Sequence, residues 1–436
     1  MRHGIVRFAV ALALVFAPLA AGAQDLLIRN ATVVTVTRGT LPKGDILILG
    51  GIIREIGPAV EAPKGVRVID ASGLTAVPGL FDSHTHIALT DVNEMGDTIT
   101  PEVRVGDALN ADDIRIFYCL TGGVTTVQTM HGSGNPIGGQ NVTLKLKWGR
   151  TAEEMIVPEA FPTIKFAQGE NIKQSYFNPP TARYPKSRMG VAAIVRRELL
   201  KARSYMEEWD RFRASRSGQG PADPGLAPRT DLRLEALADV LRGKLLVRCH
   251  TYKADETLEM IALSREFGFK IACLDHASEA FKIAPELVAA GVGISVFADS
   301  WSYKYETAEG IAMNAAACAK KGVLVSLNSD GGPQMQYMFN EAAKTVKFGG
   351  LPAEEALKLI TINPAVQLGV DKIAGSLEVG KHGDVALFTA HPLDSYARCE
   401  MTIIEGQVYF DRNAVVRERL EKAEAARKKA KAGKEG

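Results

Sequence analysis

The sequence predicts an α/β fold, a (β/α)8 barrel accompanied by short strands from both ends of the chain. Three observations carry this. Short apolar, β-branched runs alternate with helical stretches through the middle of the chain. The span from His84 to Asp330 is close to the ~250 residues of a typical barrel. Histidines and one aspartate close successive strand-like runs, on the face where such barrels carry their chemistry.

Taken in order, residues 1–23 combine Arg2 and Arg7, an apolar run from Phe8 to Leu19, and the small residues Ala21-Gly22-Ala23. That is the pattern of a secretory signal peptide cleaved after Ala23, so the mature chain is expected in the periplasm or outside the cell. The run is shorter than the ~20 apolar residues needed to span a bilayer, and no later segment is longer, so no stable membrane insertion is expected after cleavage. Residues 24–75 hold short β-type pieces such as Leu26-Leu27-Ile28 and Asp45-Ile46-Leu47-Ile48, separated by Gly50-Gly51 and Pro63. Residues 76–370 hold the expected barrel, with strands at Thr125–Gln128, Thr163–Phe166, Leu245–Cys249, Lys270–Leu274, Gly293–Val296 and Val323–Leu327. Within it, Val191 to Arg213 reads as a long helix, 215–230 as a Gly/Pro/Ser-rich loop, and Asp231 to Leu241 as a helix opened by an N-cap aspartate. Residues 371–413 return to strands, Asp384–Phe388 and Glu400–Val408. The tail 414–436 is charged, with eight basic and four acidic residues from Arg417 onward, and reads as a solvated helix.

A hydrophobic content of 46% over 436 residues supports a large core and excludes a disordered chain. The formal net charge of +2 falls to near zero once Arg2 and Arg7 leave with the leader, so no nucleic-acid partner is implied. The expected partner is a small-molecule substrate; self-association stays open. The five cysteines, Cys119, Cys249, Cys273, Cys318 and Cys399, are scattered and odd in number, which argues for buried thiols rather than a disulfide framework.

The rest of the chain is organised around Ala76-Val77-Pro78-Gly79-Leu80-Phe81-Asp82-Ser83-His84-Thr85-His86. Two histidines at i and i+2 on a strand point to one face, so both imidazoles can reach one centre, most simply a metal ion. His250 ends the run Leu245–Cys249, His276 follows Ile271–Asp275, and Asp330 follows Val323–Leu327. Imidazole and carboxylate ligands suggest Zn first, with Mn, Fe or Co as alternatives, as one ion or two.

The segment Pro78–His86 resembles the first barrel strand of the amidohydrolase superfamily, metal-dependent hydrolases on a (β/α)8 barrel. Gly132–Asn141, Lys165–Asn171 and Arg188–Val191 are similar to its imidazolonepropionase-related branch. The resemblance implies a composite β-sandwich built from both termini, with Gly375–Asp384 as its return segment. It also implies His84, His86, His250, His276 and Asp330 as metal ligands. Lys165 is then the preferred bridge between two ions, carboxylated by CO2, with Glu170 as the rival.

The expected reaction is cleavage of a carbon–nitrogen bond (amide, peptide-like as in a dipeptidase or prolidase, or cyclic amide) by metal-activated hydroxide. Asp330 acts as general base and then acid, while His276 and Tyr252 stabilise the oxyanion. His131, Glu170, Arg183 and Arg188 are candidate substrate contacts. Deamination of a heterocycle is the enzymatic alternative; deaminases of this fold carry His-X-X-Glu, whereas Thr251-Tyr252-Lys253 follows His250 here. A non-catalytic exported metal-binding protein is the third reading.

Overall fold

The computed structural model describes residues 25–173, 183–220 and 225–432. The expected leader lies outside the described residues.

The first strands, β1 (Leu26–Val34), β2 (Thr40–Leu49), β3 (Ile52–Gly57), β4 (Arg67–Asp70) and β5 (Thr75–Pro78), come from the N-terminal region. The central strands are β6 (Leu80–Thr85), β7 (Val124–Thr129), β8 (Ile137–Gln140), β9 (Val142–Lys145), β10 (Thr163–Ala167), β11 (Leu246–Thr251), β12 (Ile271–His276), β13 (Ile294–Val296) and β14 (Val325–Leu327). The chain closes with β15 (Val385–Phe388), β16 (Cys399–Ile404) and β17 (Gln407–Asp411).

Strands from both termini form one eight-stranded sheet in the order β17-β16-β15-β5-β1-β2-β3, with β4 beside β1. The join is the antiparallel pair β5–β15, in which Ala76 faces Leu387. A two-sheet sandwich was expected, and among the described residues there is one sheet. Period-two alternation gives its two faces different partners. Val385, Leu387 and Ile403 pack with Leu26, Ile28, Ile46 and Ile48 on one face, while Ala386, Phe388 and Ile404 on the other join the core of the central unit. The central unit covers this second face, and the sheet covers the first by folding on itself, with a Cβ on Gly383 only 2.5 Å from Ile48 and Ile52 bridged to His382.

The chain passes from sheet to central unit at Pro78-Gly79. A Cβ on Gly79 would lie 2.8 Å or less from the Thr125 side chain, so only glycine lets β6 pack this close to β7. Beyond it, β6 and β7 pair in parallel, and β10 through β14 form a parallel run. β14 lies against β6: Asp330 N–H donates to His84 O at 3.1 Å and Ser83 Oγ–H to Leu327 O at 3.2 Å. Between β7 and β10 the expected regular βα repeat is replaced. β9 pairs antiparallel with β7 and β8 antiparallel with β10, and the hydrogen-bond ladder is interrupted there.

The helices follow the sequence closely. The long one spans Arg188–Arg216, and the helix Leu232–Leu241 is capped by Asp231, which accepts from the Arg233 and Leu234 N–H groups at 2.9 and 3.2 Å. The charged tail forms the helix Arg412–Ala432. All five cysteines are free and buried. Among the described residues no helix is long and apolar enough to cross a membrane.

Candidate metal centre

β6 carries Ser83 to one side and His84 to the other, and His86 sits just past its end. The His86 Nδ1–H donates to Met130 O at 2.8 Å, which turns Nε2 inward. Asp330 arrives from the turn after β14, in a left-handed backbone conformation with φ 55°. Asp82 holds that turn against β6 by accepting from the Ser329 N–H at 3.0 Å and from the Ser329 hydroxyl. Asp330 Oδ1 then lies 3.1 Å from His86 Nε2 and 3.4 Å from His84 Nε2, and the ligand atoms of these three residues all fall within 4.8 Å of one another.

The remaining candidates close in around this group. His276, also left-handed at φ 72°, places Nε2 3.8 Å from Asp330 Oδ1. Its ring centroid is 4.7 Å from that of His84 and 4.8 Å from that of His250. Lys165 Nζ lies 3.1 Å from His84 Nε2. Residues from β6, β10, β11, β12 and the turn after β14 therefore meet at one mouth.

Beneath the mouth is a buried charge layer that the sequence did not reveal. Arg248 and Asp275 are both fully buried and paired, and Arg248 also donates to Gln128 Oε1 at 2.8 Å. Asp275 Oδ1 lies 3.3 Å from His84 Nδ1 and its Oδ2 3.8 Å from Lys165 Nζ. A carboxylate on the far nitrogen of a ligating imidazole fixes its tautomer and orientation. The only sequence-level hint was an arginine two residues before His250 and an aspartate one before His276.

Burial drives the electrostatics. It lowers His84 to about 4 and carries His250 and His276 well below the ordinary imidazole value. Desolvation alone would raise Asp330, yet His276, His86 and His84 hold its carboxyl well below the usual range. Burial also lowers Lys165, against the pull of Asp275 and Asp330. The outcome is neutral imidazoles beside an ionised carboxylate. His276 Nδ1, buried, has no hydrogen-bond partner among the described residues. Neutral imidazole nitrogens and a carboxylate oxygen at this spacing fit a divalent cation of the Zn class.

Several candidates serve elsewhere. Glu170 pairs with Lys173 at 2.5 Å and lies outside the His84–His86–Asp330 group. His131 is buried with both nitrogens engaged by backbone: Nε2 accepts from Glu94 N–H at 2.9 Å and Nδ1–H donates to Gly132 O at 2.8 Å. It packs the loop rather than facing a substrate. Arg183 donates to the carbonyls of Met95, Asp97 and Gly134 and to Asn135 Oδ1, tying two loops together. Arg188 is drawn to Glu256 at 2.9 Å and Asp255 at 3.4 Å. Tyr252 does reach the centre: its ring stacks on His276 at 5.4 Å, and its hydroxyl bonds that of Tyr303 at 2.8 Å.

Known proteins share this architecture. A solved amidohydrolase from Thermotoga maritima superposes with a TM-score of 0.81 at 32% identity, covering 89% of this chain and all of that one. The amidohydrolase tasK of Hapsidospora irregularis is 31% identical over 398 residues, 84% of this chain; the chain spans 40% of that relative's length. The imidazolonepropionase of Thermoplasma acidophilum is 26% identical over 403 residues, covering 84% of this chain and 89% of that one. The profile of the amidohydrolase family runs from residue 75 to residue 416, taking in every strand that contributes to the mouth. The chain belongs to the amidohydrolase family.

Proposed function

We propose that the protein is a metal-dependent hydrolase of carbon–nitrogen bonds, in an amide, a peptide-like substrate or a cyclic amide. The observation that carries this is the convergence of His84, His86 and Asp330 within 4.8 Å, with His276 and Lys165 against them. In this reading His84, His86, His250, His276 and Asp330 would hold the cation, Zn first, and Lys165, carboxylated by CO2, would supply the anionic group for a second. Lys165 is preferred to Glu170 because it is the group that touches a ligand histidine. When bound, the cation supplies Lewis acidity, which makes water nucleophilic near neutral pH and polarises a carbonyl.

The chain's own groups do the rest. Asp330, whose side chain is 38% exposed, can meet the attacking water, take its proton and return it to the leaving nitrogen. Tyr252 donates toward the developing oxyanion; His276 takes that role only where its Nε2, the nitrogen facing Asp330, is not a ligand. Asp275 and Arg248 keep His84 in one orientation. The proposed fold is a (β/α)8 barrel over residues 76–370, with 24–75 and 371–413 beside it; the parallel pairings of β6 with β7 and of β10 through β14 support it. The leader, residues 1–23, directs the chain to the periplasm or beyond.

Turnover of N-acyl amino acids, dipeptides and cyclic amides tests the reading. Asp330→Asn is expected to lower kcat by about a thousandfold while metal content, measured in parallel, is retained. Undiminished kcat in that variant overturns the role of Asp330. Ammonia release from purines or pyrimidines with no amide cleavage favours deamination instead. Asp255 and Glu256, the first acids after His250, are paired with Arg188, which weighs against that alternative.

A further inference from the structure

A cavity of about 390 Å³ opens beside Asp330. Its inner wall is Ser329 and Asp330; its outer wall is the segment after β13, with the rings of Phe297, Trp301 and Tyr303. These rings are continuous with the metal centre. Phe297 lies nearly flat on the His276 imidazole, centroids 4.8 Å apart at 18°. Tyr252 stacks on the same ring at 20° and passes the aromatic wall on to Tyr303 through their hydroxyls. At the rim, Trp301 is 45% and Tyr303 54% exposed.

Large rings left open to water around a concavity, next to the reacting carboxylate, mark a place where an apolar group is taken up. The charge of the lining narrows the class. Asp299 and Asp330 are its acidic side chains, and among the described residues no lysine or arginine lines it. Asp299 is held by Lys344 at 3.0 Å. Lys304, whose ammonium lies 4.1 Å from the Tyr252 ring centroid, is held by Asn171 at 3.1 Å and Glu306 at 3.6 Å. Arg183 and Arg188, the expected anion contacts, are turned to loop carbonyls and to Glu256.

We propose that this cavity is a side-chain subsite for a neutral or cationic aromatic group adjoining the scissile bond, and that it excludes carboxylates. Flat rings pack against Phe297 and Trp301; a cationic substituent gains from the same π-faces and from Asp299. The reaction at the neighbouring bond rests on the amide reading above, whereas ring binding does not.

Two measurements on the metal-loaded protein test it separately. In the first, Phe-Gly, Lys-Gly, Ala-Gly and Glu-Gly, with the reversed series, are compared as substrates. In the better series kcat/KM for the phenylalanine peptide is expected to exceed that for alanine by about tenfold or more, with glutamate lowest. Trp301→Leu is expected to erase the phenylalanine advantage while leaving the alanine peptide within about twofold. In the second, phenethylamine is expected to quench tryptophan fluorescence saturably, n-propylamine not, and Trp301→Leu to lose the response. Cleavage of these peptides with no side-chain preference, and no quenching, overturns the subsite and leaves the amide reading standing. Quenching that depends on Trp301, with no cleavage of these peptides or of the N-acyl amino acids and cyclic amides, sustains the subsite and overturns the amide reading.

Discussion

The terminal sheet and the mouth of the central unit are built from equally buried strands and differ in what they bury. In the sheet, Leu26, Ile28, Ile46, Ile48 and Leu387 are fully enclosed and touch other apolar groups. At the mouth, His84, Lys165, Arg248 and Asp275 are fully enclosed, and His250 and His276 nearly so. Burying apolar surface is favourable by itself. Burying charge is not, and stands only when partners compensate it. Burial in the sheet therefore favours folding outright, while the mouth is a cost that the ion-pair layer below compensates and that the proposed cation would compensate from above.

That contrast can be broken from either side. Arg248→Met leaves Asp275 buried without its main partner, so it is expected to cost about 3–5 kcal/mol of stability by denaturant titration. Adding Asp275→Leu is expected to recover part of the loss, because the uncompensated charge is then gone. The double variant should still bind metal more weakly than the native chain, since His84 loses the carboxylate on Nδ1. A double variant no more stable than the single would show that the pair is not acting as a pair.

In the sheet, Leu387→Ala should cost about 2–5 kcal/mol through lost burial and the cavity left behind, with metal content unchanged. A loss of metal there would mean that the two regions are coupled, contrary to the division drawn above.

The smallest effect is expected from His131, outside the ligand group. Burial lowers its pKa from 6.5 to about 4. Between those values the unfolded chain binds a proton that the folded chain does not, so its contribution to stability is complete above about pH 6.5 and declines as pH falls toward 4. His131→Asn should flatten this acid limb by up to about 3 kcal/mol, read as the change in slope between pH 7 and about pH 4.5. An unchanged slope would place the titrating groups elsewhere.

What could be read from the sequence follows the same line. His84 and His86 were legible because a strand alternates sides every residue, and His250 and Asp330 because each closes or follows an apolar run that could only be a strand. The helix opened by Asp231 was legible from its cap. Asp275 and Arg248 were not, because their pairing depends on the register of β11 against β12, where Arg248 faces Cys273. The stretch Gly132–Asn141 is rich in glycine, yet β8 forms within it. A Cβ on Gly138 would lie 2.5 Å from His131 Nδ1, and one on Gly139 2.8 Å from Val103 O. Glycine there serves close packing rather than a turn, a distinction made only by neighbours distant in the chain. The single terminal sheet was missed for a related reason: period-two alternation says that both faces are covered, not that the central unit covers one of them.

The most direct test of the central claim is the metal content of the purified protein beside that of His84→Asn/His86→Asn, each checked for native circular dichroism. The account expects at least one divalent ion per chain in the native protein, and its loss in the variant with the fold intact. Equal metal content in the two folded proteins would contradict it.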